Sequence, residues 1–184
     1  MAPSKCGTKI GAALQWARML RTREIIPPLT LHALDGRTVR AWDFKQKKNL
    51  IILFLHAGCA ACEEYLHQIA ANAAAWKENG AVVLVALLGS PSRAATDFLP
   101  DNVIVGLDPS GHGANAFLGT DTLAPAGDAR LGVFVTDRYG ELAMQWEIAA
   151  SHEFPPVATL RTQLERIEMA CDECSTPLWR VDEG

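Results

Sequence analysis

Three stretches of the chain are apolar at nearly every position. Asn49-Leu50-Ile51-Ile52-Leu53-Phe54-Leu55 follows a lysine cluster, Ala81 to Leu88 reads AVVLVALL, and Gly132 to Thr136 reads GVFVT. Runs this short and aliphatic predict strands inside a sheet, where both faces are covered and the polar alternation disappears. Val103 to Leu107 adds a further strand. Between the first two runs the period changes. Cys62, Leu66, Ile69, Ala73 and Trp76 recur at helical spacing, which predicts a helix over Glu63 to Asn79 closed by Gly80. Leu29 to Leu34 alternates, Asp35-Gly36 turns the chain, and Thr38 to Trp42 completes a small hairpin. Asp137-Arg138-Tyr139-Gly140 turns the last buried strand into another over Glu141 to Trp146.

The remaining segments are helical or irregular. Ala12 to Glu24 carries helical spacing and is stopped by Pro27-Pro28. Short helices are expected over Ser92 to Leu99 and Gly113 to Leu118, with a loop from Gly119 to Arg130. A last helix runs from Pro155 to Ala170, with Val157, Leu160, Leu164, Ile167 and Cys171 on one face. Strands alternating with helices, then an antiparallel pair and a terminal helix, make an α/β layered fold around one sheet. A length of 184 residues holds one domain with a short appendage. No glycine-rich phosphate loop follows a strand, and a net charge of -4 argues against a nucleic-acid partner. No run is long enough to span a bilayer. Met1 to Arg23 lacks the apolar core of a secretory signal, so the expected compartment is the cytoplasm.

That compartment gives the cysteines their meaning. Cys6 stands alone, while Cys59-Ala60-Ala61-Cys62 and Cys171-Asp172-Glu173-Cys174 form two CxxC pairs. In a reducing compartment such pairs work in redox chemistry or hold a metal more often than they act as staples. The first pair falls where a strand hands over to a helix. Three residues bring the two sulfurs within bridging range. The free N–H groups and dipole of the helix start favour a thiolate, the form that attacks disulfides and peroxides. Cys62 falls on the apolar face, so Cys59 is the exposed attacker. His56, three residues earlier, would favour the thiolate as a cation. Half of a structural zinc site and a buried small hydrophobe are the rival readings of this pair. Cys171 and Cys174 have three candidate roles: a resolving or relay pair for Cys59 and Cys62, a metal site, or quiet thiols.

The order of these features resembles the thioredoxin superfamily. Its details resemble the peroxiredoxin-like branch, the alkyl hydroperoxide reductase and thiol-specific antioxidant group. The residues that carry the likeness are Pro28 to Leu31, Asp35 to Val39 and Trp42-Asp43-Phe44, then the strand Leu50 to Leu55, then Phe134-Val135-Thr136-Asp137-Arg138-Tyr139-Gly140. The cysteine-bearing tail to Trp179 resembles the end of some redoxin-domain proteins. The resemblance implies a thioredoxin-like three-layer fold with a central mixed sheet and helices on both faces. It divides the chain into an N-terminal helical extension (1–27), a redoxin domain (28–170) and a cysteine-containing tail (171–184). It implies an enzyme that cycles a CxxC dithiol and disulfide to reduce disulfides or hydroperoxides, without cofactor or metal. The electron donor would be thioredoxin- or glutathione-like, and a homodimer is a candidate assembly. In the group's P-x-x-x-T-x-x-C motif the peroxidatic cysteine falls on Cys62, while Cys59 takes the Thr place and Leu55 the Pro place. That gives a second form of the enzyme, with Cys62 peroxidatic and Cys59 resolving. Arg130 lies near the place of the group's peroxide-holding arginine. A zinc-binding or scaffolding redoxin-fold module without turnover is the reading from a different class.

Overall fold

A computed structural model of the chain describes residues 20–89, 99–108, 111–119, 131–148 and 153–170. The apolar runs become strands β3 (Asn49–His56), β4 (Ala81–Leu88), β5 (Val103–Leu107) and β6 (Leu131–Thr136). The alternating segment becomes the hairpin β1 (Thr30–Ala33) and β2 (Thr38–Arg40), and β7 spans Leu142–Ile148. These make one seven-stranded sheet in the order β2-β1-β5-β4-β3-β6-β7. β3, β4 and β5 run parallel, while β1 pairs antiparallel with β5 and β6 antiparallel with β3. The sheet is therefore mixed. Every residue of β4 and all of β3 except His56 is buried, which is why these strands show no alternation.

Helices α1 (Ala60–Glu78) and α3 (Val157–Met169) pack against each other on one face, and α2 (His112–Leu118) covers the other. Phe117 of α2 meets Phe54 of β3 and Phe134 of β6 at ring-centroid distances of 5.3 and 5.1 Å. The alternation of side chains along β3 then turns Ile51, Leu53 and Leu55 toward α1 and α3. Trp76, Ile69 and Ala73 seal α1 onto this core. Gly132 explains how α2 comes so close: a Cβ there would lie 2.7 Å from both Leu118 and Phe134.

The fold sets two ends. β3, β4 and β5 finish at the end where α1 begins. β3 starts at the opposite end, or base, beside the turn Asp137–Gly140 and beside the end of α3, where the Asn49 amide donates to Glu168 at 2.5 Å.

Two expectations change. Helix α1 starts at Ala60 rather than Glu63, because Cys59 caps it. The helix expected over Ala12 to Glu24 does not include residues 20–24. There the Glu24 carboxylate accepts from the Arg21 N–H, the Glu24 N–H donates to the Arg21 carbonyl, and Arg23 takes a φ of 73°. The chain then runs extended beside Gly140 to Leu142, as residues ahead of Pro27-Pro28 prefer. Residues 12–19, the segment Ser92 to Phe98 and most of the loop before Arg130 lie outside the described residues.

Candidate active site

β3 ends at His56, and Ala57-Gly58 turns the chain, with Gly58 at φ +77°. That left-handed step suits glycine and brings Cys59 directly to the start of α1. Cys59 is the N-cap residue, in extended conformation, and Cys62 lies three residues on, within the first turn. The Cys62 N–H donates to the Cys59 sulfur at 3.3 Å, so a thiol fills the capping place usually held by a serine or aspartate oxygen. The Cys59 N–H donates to the His56 carbonyl at 3.4 Å, which holds the turn closed.

The two sulfurs differ sharply. Cys59 is half-buried, while Cys62 is only 2% exposed within the core; both are free thiols. Burial pushes the Cys62 thiol up to about 12, its hydrogen bond with Cys59 adds to this, and a backbone hydrogen bond at His56 works against it. Electrostatic repulsion from Glu63, and from Cys59 when it is ionised, pushes the same way as burial. At neutral pH, Cys62 therefore keeps its proton, and its own backbone N–H donates to the Cys59 sulfur.

Tyr65 packs the start of α1 against the entry of α3. It follows Cys62 by one helical turn and is buried. Its ring stacks on Phe154 with centroids 4.3 Å apart, and its hydroxyl donates to the Pro155 carbonyl at 3.0 Å. Burial raises its pKa. This contact joins the first turns of α1 to the entry of α3. Leu66, chosen by the sequence stripe, is only half-buried, because the burying face of α1 is wide enough for Tyr65 and Leu66 together and Tyr65 goes deeper. His56 stands half-buried at the end of β3, with Nδ1 3.9 Å from the place a Cβ on Gly89 would take. Gly89, just past β4, takes a φ of +91°, a left-handed step that suits glycine.

The structure brings together Cys59, Cys62 and the His56 backbone. Arg130, Cys171 and Cys174 lie outside the described residues. Among the described residues, no group of three His, Cys, Asp or Glu side chains is arranged to hold a metal ion. Nor is any helix among them long and apolar enough to cross a membrane.

A mixed sheet with helices on both faces and a dithiol at the first turn of α1 defines a thioredoxin-like protein. The AhpC/TSA family matches residues 22–145, and the chain belongs to it. Solved structures share the fold. A peroxiredoxin-like protein from Aquifex aeolicus matches at a TM-score of 0.63 and 18% identity, over 81% of this chain and 88% of its own. A protein assigned as the thiol:disulfide interchange protein DsbE from Chlorobium tepidum matches at 0.61 and 20%, over 81% and 99%. The thioredoxin domain of a thiol-disulfide oxidoreductase from Bacteroides vulgatus matches at 0.58 and 16%, over 80% and 99%. At these identities the likeness is one of fold. No curated protein matches the chain in sequence.

Proposed function

We propose that this protein is a thiol-disulfide oxidoreductase that cycles Cys59 and Cys62 between dithiol and disulfide, reducing disulfides or hydroperoxides. The observation that carries this reading is the asymmetry of the pair: an accessible sulfur capping α1 and a buried, proton-holding sulfur one turn inside. The Cys59 thiolate attacks one sulfur of a substrate disulfide, the S–S bond breaks, and the departing thiolate takes a proton. A mixed disulfide on Cys59 remains. Cys62 then gives up its proton and attacks the Cys59 sulfur, which releases the second substrate thiol and closes the Cys59–Cys62 disulfide. The Cys62 N–H, already directed at Cys59 Sγ, faces the sulfur that is exchanged in both steps. Two electrons pass to the substrate, and a thioredoxin- or glutathione-like thiol donor returns them. With a hydroperoxide, Cys59 takes the distal oxygen to become a sulfenic acid, an alcohol leaves, and Cys62 expels water to form the same disulfide. In the cytoplasm expected from the sequence, the donor pool keeps the resting pair reduced.

The burial of Cys62 favours Cys59 as the attacking residue over the reading in which Cys62 is peroxidatic. Single-cysteine variants test the choice. Cys62→Ser should trap a mixed disulfide on Cys59 with a model disulfide, and Cys59→Ser should abolish the attack. If instead Cys62→Ser abolishes hydrogen peroxide consumption and Cys59→Ser leaves a sulfenic acid on Cys62, the roles are reversed. Undiminished activity in both variants removes the pair from the mechanism.

A further inference from the structure

At the base of the sheet, on the face that α2 also covers, lies a shallow groove that opens to solvent. Its floor is apolar, from Ile26, Leu50 and the ring of Trp42, which is 36% exposed. Its rim is basic, from Lys45, Lys48 and Arg138, with the Lys45 ammonium 4.1 Å from the centre of the Trp42 ring. Among the described residues that line it the acid is Asp137, whose carboxylate accepts from the backbone N–H groups of Tyr139 and Glu141. An apolar floor under a cationic rim suits a segment with an aromatic or aliphatic anchor among carboxylates.

The chain has such a segment, and it leaves the described structure at the same end. Helix α3 ends at Met169 at the base, where Glu168 meets Asn49, the residue next to Lys48. From there residues 171–184 read CDECSTPLWRVDEG, with four carboxylates against one arginine, and with Leu178-Trp179 between the acidic pairs. Trp179 lies nine residues beyond Ala170, which allows roughly 30 Å of extended chain. Passing around the base of the sheet, from the helix layer on one face to the groove on the other, takes on the order of 10–20 Å. Reach is therefore ample.

We propose that the groove is the seat of the chain's own segment 171–184, with Leu178 and Trp179 on the apolar floor and its carboxylates against Lys45, Lys48 and Arg138. Docked there, Cys171 and Cys174 stay at the end of the domain opposite Cys59 and Cys62.

Zero-length carbodiimide coupling of the full chain, followed by peptide mapping, tests the seat directly. The exposed pair Lys77 and Asp101, 2.6 Å apart, serves as the internal control that the reagent has acted. The expected result is a cross-link from Lys45 or Lys48 to Asp172, Glu173, Asp182 or Glu183, within single chains. Trp179→Ala should lower its yield at least fivefold while the Lys77–Asp101 product is unchanged. Three results would overturn the proposal: no such cross-link beside a positive control, a yield insensitive to Trp179→Ala, or cross-links joining isotope-labelled to unlabelled chains. The last would assign the groove to the segment of a second copy.

Discussion

The titration of Cys62 carries a consequence for stability. Its folded pKa is raised from the ordinary 9.0 to about 12 by burial, so the folded state holds this proton more tightly than the unfolded state does. The resulting stabilisation is complete below about pH 9 and is lost as pH climbs toward 12, at up to ~1.4 kcal/mol per pH unit. Denaturant unfolding of the reduced protein should show this decline, and Cys62→Ala should flatten it; an equal slope in both would refute the assignment. Kinetics should report the same proton. Resolution of the mixed disulfide on Cys59 in the protein with Cys62 intact should quicken steadily from pH 7 to 9, because the attacking thiolate is scarce throughout. Tyr65→Phe keeps the stacking on Phe154 but removes the donor to Pro155, and should cost about 1 kcal/mol. The cysteine pair was legible in the sequence because strand, CxxC and helix follow one another without a gap. Tyr65 was not, since periodicity names a face and cannot say which of two adjacent residues goes deeper.

For whole elements, the sequence was most legible where burial is complete. The bounds of β4 and β5 agree with the apolar runs, and β3, β6 and β7 differ by a residue or two. What the runs could not carry is adjacency. That β6 lies antiparallel beside β3 depends on packing between residues some eighty positions apart, such as Phe54 opposite Gly132. The failed end of the first helix has a similar cause: the segment from Arg23 to Ile26 finds hydrogen bonds along Gly140 to Leu142, which local spacing does not record. Glycine positions show where elements depend on each other. A Cβ on Gly106 would stand 2.8 Å from the His32 carbonyl oxygen, which is backbone and cannot swing away. Gly106→Ala should therefore part β1 from β5 and destabilise by roughly 1–3 kcal/mol, the range for an overpacked core. Thermal unfolding would check this, and a cost below a few tenths would mean the hairpin yields freely.

In the molecule as a whole, distance between the two ends governs what the second cysteine pair can do. β3 spans about 25 Å from Asn49 to the turn before Cys59, at roughly 3.3 Å per residue. Cys174 lies five residues past the end of α3, a reach of about 18 Å at full extension, and Cys171 reaches less. With a bridging Cα separation of up to about 7 Å added, only a fully extended tail reaches the dithiol end, so a tail seated in the groove keeps the pairs apart. Mild oxidation with peptide mapping should recover Cys59 bridged to Cys62, with no bridge from either to Cys171 or Cys174 inside one chain; recovery of such a bridge from folded protein would show that the tail leaves the groove and extends toward the dithiol. The arrangement also makes the domain directional. A molecule fastened to a solid support by the exposed Lys47, next to the start of β3, would hold its dithiol outward on the far side. An oriented layer of this protein should therefore turn over substrates as large as folded proteins, which attachment near Glu63 or Glu64 would block.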